Sequence, residues 1–181
     1  MNKNYLACDL GAESGRLMLG TLKDDSFDFK QVHRFPNVPL RSGNSLHWDI
    51  DKLFNELICG LKKVSALNVD ISSISTDSWG VDYILYDKDG KQMKPVFHYR
   101  DSRTAKGVEI VKSKVSWETI FNETGIQFMP LNTIYQLAAE PKERLLNANK
   151  LILIGDAFNE FLCGVGAAEV SLASTTQLYN P

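Results

Sequence analysis

Two short apolar runs, separated by a glycine-bounded polar segment, open the chain and restrict what it can become. Tyr5 to Leu10 has the length and hydrophobicity of a buried strand. Gly11 to Gly15 interrupts it, Leu17-Met18-Leu19 resumes it, and Phe27 to Phe35 suggests a third strand. Runs joined by such a turn predict a hairpin and the start of an antiparallel meander. The interruption reads Asp9-Leu10-Gly11-Ala12-Glu13-Ser14-Gly15-Arg16. It places a carboxylate at a strand end, then two glycines, a hydroxyl and a cation. Gly11 and Gly15 are expected to take backbone angles other residues avoid and to let a ligand approach the main chain. Successive N–H groups in such a turn can form an anion-binding nest, and Asp9 can hold magnesium through water. A plain hairpin turn fits the same residues.

Beyond this opening, helix and strand patterns alternate. Asp49 or Asp51 can cap a helix carrying Leu53, Phe54, Leu57, Ile58, Leu61 and Val64 at helical spacing. Strands are expected at Ile71–Thr76, Val81–Tyr86 and Leu151–Ile154. Helices are expected near Thr104–Lys112, Trp117–Asn122, Thr133–Glu140 and Ala157–Cys163, the last stopped by Gly164. This order predicts an α/β domain with a mixed sheet.

With 44% hydrophobic and 10% aromatic residues, the 181-residue chain has the composition of a globular protein with its own core. Its net charge of -2 does not provide the broad basic surface of a general nucleic-acid binder. No apolar run approaches the ~18 residues of a membrane span. Tyr5-Leu6-Ala7-Cys8 is too short for a signal-peptide core, so a cytoplasmic protein without membrane partners is expected. Cys8, Cys59 and Cys163 form no paired motif and are each read as small buried apolar residues. His33, His47 and His98 have no metal-ligand spacing. A P-loop pattern is missing, and Gly164-Val165-Gly166 lacks the third glycine and preceding strand of a dinucleotide fingerprint.

Two further segments carry candidate chemistry. In Ser75-Thr76-Asp77-Ser78-Trp79-Gly80-Val81-Asp82, Trp79 can supply an apolar face for a polyol, Gly80 close backbone access, and Asp82 a hydroxyl acceptor. Equally, Trp79 can be a core aromatic and Asp82 a solvated strand residue. In His98-Tyr99-Arg100-Asp101-Ser102-Arg103-Thr104, two arginines flank an aspartate before a helix. They form either a local ion-pair and capping network or a contact from Arg100 or Arg103 to an anion or sugar hydroxyl. Asn132, Thr133, Asp156, Ser174 and Thr175 read as caps and turns.

The chain resembles the N-terminal part of the FGGY family of carbohydrate kinases. The likeness runs over nearly the whole chain. It rests on Asp9 to Arg16, His47 to Asp51, Asp77 to Asp82, Tyr99 to Thr104, Gly125 to Thr133 and Ala173 to Leu178. Within the family, the Trp-Gly-Val-Asp and Tyr-Arg-Asp-Ser-Arg segments are similar to those of kinases acting on L-rhamnulose. The resemblance implies a ribonuclease H-like, actin-like domain with a mixed sheet flanked by helices. It implies transfer of the ATP γ-phosphate to the sugar 1-hydroxyl, with Mg2+. Ala12, Glu13, Ser14, Gly15 and Arg16 would line the ATP phosphates, and Asp9 would hold the metal through water. Gly80, Trp79, Asp82 and Arg100 would be the sugar contacts.

Residues 1–181 would then be the first domain, ending before its last strands. The catalytic aspartate and the nucleotide-binding second domain would lie beyond Pro181. The chain alone is therefore expected to be inactive and to expose a face that favours self-association. Competing readings are a kinase for another ketose or polyol, such as L-fuculose or xylulose, and a non-catalytic half-kinase that binds nucleotide or a partner.

Overall fold

A computed structural model describes residues 3–181. The expected meander is formed by β1 (Lys3–Leu10), β2 (Ser14–Lys23) and β3 (Ser26–Pro36). Leu6, Cys8 and Leu10 on β1 and Leu17 and Leu19 on β2 are buried, following the two-residue period of a strand. A short hairpin, β4 (Leu40–Ser42) and β5 (Ser45–Trp48), leads to α1 (Ile50–Ser65). The Asp49 side chain accepts from the Lys52 N–H and satisfies one orphan donor of the first turn. Lys62 and Lys63 sit in the last turn, where cations suit the helix dipole. Ile50, Leu53, Leu57 and Val64 form the buried stripe that packs on β2 and β3.

The next strand, β6 (Ile71–Ser78), pairs parallel with β1, so the sheet order is β3-β2-β1-β6 and the sheet is mixed. This pairing positions the site. Strands β1 and β6 run together and end together, with Asp9 opposite Asp77 and Leu10 opposite Ser78. On the outer strand, Ile71 and Ile74 are exposed.

The remaining elements are β7 (Tyr83–Tyr86), β8 (Val96–Phe97), α2 (Thr104–Lys112), α3 (Trp117–Thr124), α4 (Thr133–Ala138), α5 (Lys142–Asn147), β9 (Lys150–Leu153), α6 (Ile154–Cys163) and α7 (Val170–Ser174). Strand β8 extends the β4–β5 hairpin, and β9 pairs antiparallel with β7. Helix α6 shares the core with α1: Phe54 stacks on Phe161 at 4.3 Å and meets Phe158 edge-on at 4.8 Å. A second small core joins Val108, Val111, Ile120 and Tyr135.

Three expectations need correction. The strand expected from Val81 begins at Tyr83, because Val81 has a φ of 67°. Ile154 opens α6 and does not end β9. Cys8 is buried, but Cys59 and Cys163 are exposed. The expected stop at Gly164 holds, with φ 75°. Among the described residues, no helix is long and apolar enough to cross a membrane.

Candidate active-site half-cleft

The β1–β2 turn is tied down from behind. Gly11 N–H donates to the Ser14 carbonyl at 3.0 Å. Asn37, buried just after β3, donates from its side chain to the Gly11 carbonyl (3.1 Å) and from its backbone to the Glu13 carbonyl (3.0 Å). Among the described residues, the N–H groups of Ala12 and Glu13 have no acceptor. Free adjacent donors on a tethered turn suit an anion. Arg16 Nε lies 2.7 Å from Asp9 Oδ2, with both side chains about 40% exposed.

The reason for glycine here differs from the expected one. Neither Gly11 nor Gly15 has a positive φ. Gly15 lies in β2 opposite Phe35, and a Cβ there would come within 2.2 Å of the Phe35 ring. Its hydrogen makes room for a core aromatic ring, and the backbone is ordinary strand.

The carboxylates of Asp9 and Asp77 stand on paired strands at the same end. Among the described residues, no group of three or more His, Cys, Asp or Glu side chains is placed to hold a metal ion. One or two carboxylates, completed by water and phosphate oxygens, are the donor set that magnesium accepts.

Beyond β6 lies a groove of about 340 Å³ lined by Asp77, Ser78, Gly80, Asp156, Glu169 and Thr175. This is at the lower end of small-molecule sites, about 300–1,000 Å³. Gly80 packs against Thr175, whose side-chain atoms lie 3.0–3.4 Å from where a Cβ would be. A cavity of about 360 Å³ lined largely by Leu137, Leu151, Ile152, Leu153 and Leu178 contains no residue of the β1–β2 turn.

Asp82 matches neither of the roles considered for it. It is fully buried. Its Oδ2 accepts from Trp48 Nε1 (2.6 Å) and Trp79 Nε1 (2.8 Å), and its Oδ1 from Gln136 Nε2 (3.0 Å). It is an interior anchor for two indoles and is neither a solvated residue nor an open hydroxyl acceptor. Trp79 is half-buried and packs on Trp48 at 4.4 Å, and Trp48 stacks on His98 at 4.0 Å.

The two arginines of the third segment separate. Arg103 lies over the Phe97 ring at 3.9 Å, donates to the Gln136 carbonyl at 3.0 Å, and faces buried Glu140 at 3.4 Å. Asp101 accepts from Ser45 Oγ and Leu46 N–H, both at 2.6 Å, and holds β5 to this loop. Arg100 is exposed and forms no ion pair among the described residues. Its guanidinium rests 5.2 Å from the Tyr99 ring centroid. Of the pair, it is Arg100 that remains available to a ligand.

Asn37 and Gln136 stand outside every candidate segment of the sequence, and Asp77 enters only as part of the 75–82 segment, without a role of its own. Asn132, Thr133 and Thr175 read there as caps and turns. Asn132, Thr133 and Gln136 are each about 1% exposed. A buried polar residue is legible only once its partners are known.

Burial raises the Asp82 carboxyl from the usual 3.8 to about 6, opposed by the hydrogen bonds from Trp48, Trp79 and Gln136. Burial lowers His98 from 6.5 to about 4, aided by Arg100 and opposed by Asp101. The signs oppose each other. The raised Asp82 favours the fold below pH 3.8, and this contribution is lost as pH rises through about 6. The lowered His98 favours the fold above pH 6.5, and this is lost as pH falls through about 4. His98 contributes equally to wild type and to Asp82→Asn, so the difference between them follows Asp82 alone. Relative to wild type, the urea midpoint of Asp82→Asn should therefore rise with pH between 3.8 and about 6. A pH-independent difference between the two proteins would contradict this.

Residues 4–181 match the FGGY family of carbohydrate kinases, N-terminal domain, and the chain belongs to that family. Its curated relatives include a rhamnulokinase of Ligilactobacillus salivarius, 42% identical over 97% of this chain and 36% of that protein. They also include one of Bacillus subtilis, 40% identical over the same shares. The chain thus spans about a third of the length of these relatives. A solved xylulose kinase from Lactobacillus acidophilus superposes with a TM-score of 0.83 at 19% identity, over 98% of this chain and 37% of that one. Plasmodium falciparum glycerol kinase with ADP gives 0.70 at 17% identity, over 98% and 38%. The fold is that of these kinases, the helix-flanked mixed sheet of the actin-like class expected from the sequence.

Proposed function

We propose that residues 1–181 form the phosphate- and sugar-facing half of an ATP-dependent kinase that phosphorylates the 1-hydroxyl of L-rhamnulose. The observation that carries this reading is the common end of β1 and β6. It sets the Ala12–Glu13 donors and Asp9 beside Asp77 and the Gly80 groove. Identity of about 40% to proteins named rhamnulokinase supports the choice of sugar.

Ala12 and Glu13 N–H groups and Arg16 bind the phosphates, with Ser14 and Gly15 starting the strand that carries the turn. Asp9, oriented by Arg16, would hold Mg2+. Gly80 offers its backbone to the sugar, Trp79 an apolar face, and Arg100 an exposed donor. Asp82 acts from behind by fixing Trp79. Bound Mg-ATP supplies the reactive phosphoryl group and offsets its charge. Phosphoryl transfer depends chiefly on positioning and electrostatics, and holding reactants in line can lower a barrier by about 7–11 kcal/mol. No residue described here is assigned as the proton acceptor. That group and the adenine pocket belong, in this reading, to the rest of the kinase.

The test is ADP release by the complete gene product with L-rhamnulose, L-fuculose and D-xylulose, alongside residues 1–181 alone. Fastest turnover on L-rhamnulose, and no sugar-dependent ADP from residues 1–181, is expected. Preference for another sugar would overturn the substrate. Steady turnover by the short chain would overturn the division of labour.

A further inference from the structure

Val81 is a β-branched residue in the left-handed region, a genuine backbone outlier. Asp82 N–H donates to the Gly80 carbonyl at 2.9 Å, so residues 80–82 form a γ-turn with positive central φ. This is the rarer and more strained γ-turn form. Such a conformation persists only where its surroundings over-determine it.

Here two separated parts of the chain do so, the start of α4 and the end of α7. Thr133 Oγ1 donates to the Val81 carbonyl at 2.6 Å, and Gln136 Nε2 reaches the same oxygen at 3.2 Å. Val81 N–H donates to Thr175 Oγ1 at 3.2 Å, and that hydroxyl donates onward to the Leu172 carbonyl at 2.8 Å. Asn132 Nδ2 donates to the Thr175 carbonyl at 2.9 Å, which ties α4 to α7. Thr175 also packs against Gly80. Every polar group of Val81 is therefore held, and its neighbours on either side are the glycine that lines the groove and the carboxylate that anchors both indoles.

Resting on the sugar-site reading above, we propose that Val81 is a positioning residue. Its strained turn, clamped by Thr133, Gln136 and Thr175, sets the Gly80 backbone and the Trp79 face for a ketose hydroxyl. Releasing the clamp lets Val81 relax to negative φ and pulls Gly80 out of register. Glycine takes a φ of 67° without strain, so the same release has little to relax in a Val81→Gly background.

The complete kinase tests this through KM and kcat for the sugar and KM for ATP. Thr133→Val should raise the sugar KM at least fivefold, with the ATP KM within twofold of wild type. Thr133→Ser, which keeps the hydroxyl, should stay within twofold for both. In a Val81→Gly background, Thr133→Val should raise the sugar KM less than twofold. An unchanged sugar KM in Thr133→Val, or an equal penalty in both backgrounds, overturns the proposal. Should Thr133→Val alone fail to fold, recovery of folding in the double variant supports stored strain, and failure of both overturns it. The comparison uses whichever ketose the wild type turns over fastest. A wrong substrate assignment then shows in the choice of sugar, and a wrong clamp assignment shows in the ratio of KM values.

Discussion

In the complete gene product, Gly15→Val should cost about 1–3 kcal/mol of stability or more and lower ATP-dependent turnover roughly 100-fold. The cause is steric. Gly15 pairs directly with Phe35 across β2 and β3, and the position of a Cβ lies 2.2 Å from the ring's Cζ and 2.6 Å from a Cε. Phe35 is 3% exposed and belongs to the main core. To relieve the contact, either the buried ring shifts or the strand bends. Both movements displace the β1–β2 turn, which ends one residue earlier at Ser14. A displacement of about 1 Å in a positioning element can cost on the order of 10²-fold in rate. A second substitution separates the clash from any other effect. Phe35→Ala removes the ring, so it should be less harmful in the Gly15→Val background than in wild type. Thermal unfolding and turnover of the four proteins make the measurement. Additive losses would show that Gly15 acts in some way other than through Phe35.

Asp82→Ala should lower stability by about 3–5 kcal/mol, a fall of roughly 10 °C in the thermal midpoint. The carboxylate is buried and accepts from three N–H donors. Alanine leaves all three without this acceptor, and each orphaned buried donor costs about 1–3 kcal/mol. Gln136 keeps the Leu131 carbonyl as an acceptor, but neither indole has another acceptor among the described residues. The loss should appear in denaturant unfolding as well as in turnover. Intact stability with lost activity would instead make Asp82 a direct substrate contact.

Much of the fold was legible because its signals are local. The meander follows from alternating apolar residues around a polar turn, α1 from a capping aspartate followed by a helical stripe, and the end of α6 from Gly164. The Asp9–Arg16 segment was legible as a candidate site for the same reason: its residues are contiguous. Its glycine chemistry was misread, because backbone freedom is the ordinary reason for glycine in a turn. The actual reason lies twenty residues away, in Phe35. Asp82 was misread in a similar way. An aspartate at a strand end is usually solvated, and only the approach of Trp48 and Gln136 buries it.

The sequence by itself determined most of the element order, the β1–β2 turn and kinship with the FGGY kinases, since periodicity, caps and contiguous motifs survive without tertiary context. Only the tertiary structure decided which polar residues are interior. It brought Asp77 beside Asp9, tied the turn with Asn37, assigned Arg103 to the scaffold and left Arg100 exposed, with no ion pair among the described residues. It also held Val81 in a conformation its own side chain disfavours. These outcomes depend on which distant groups arrive within hydrogen-bond or van der Waals distance, and that is set by strand pairing and helix packing over the whole chain.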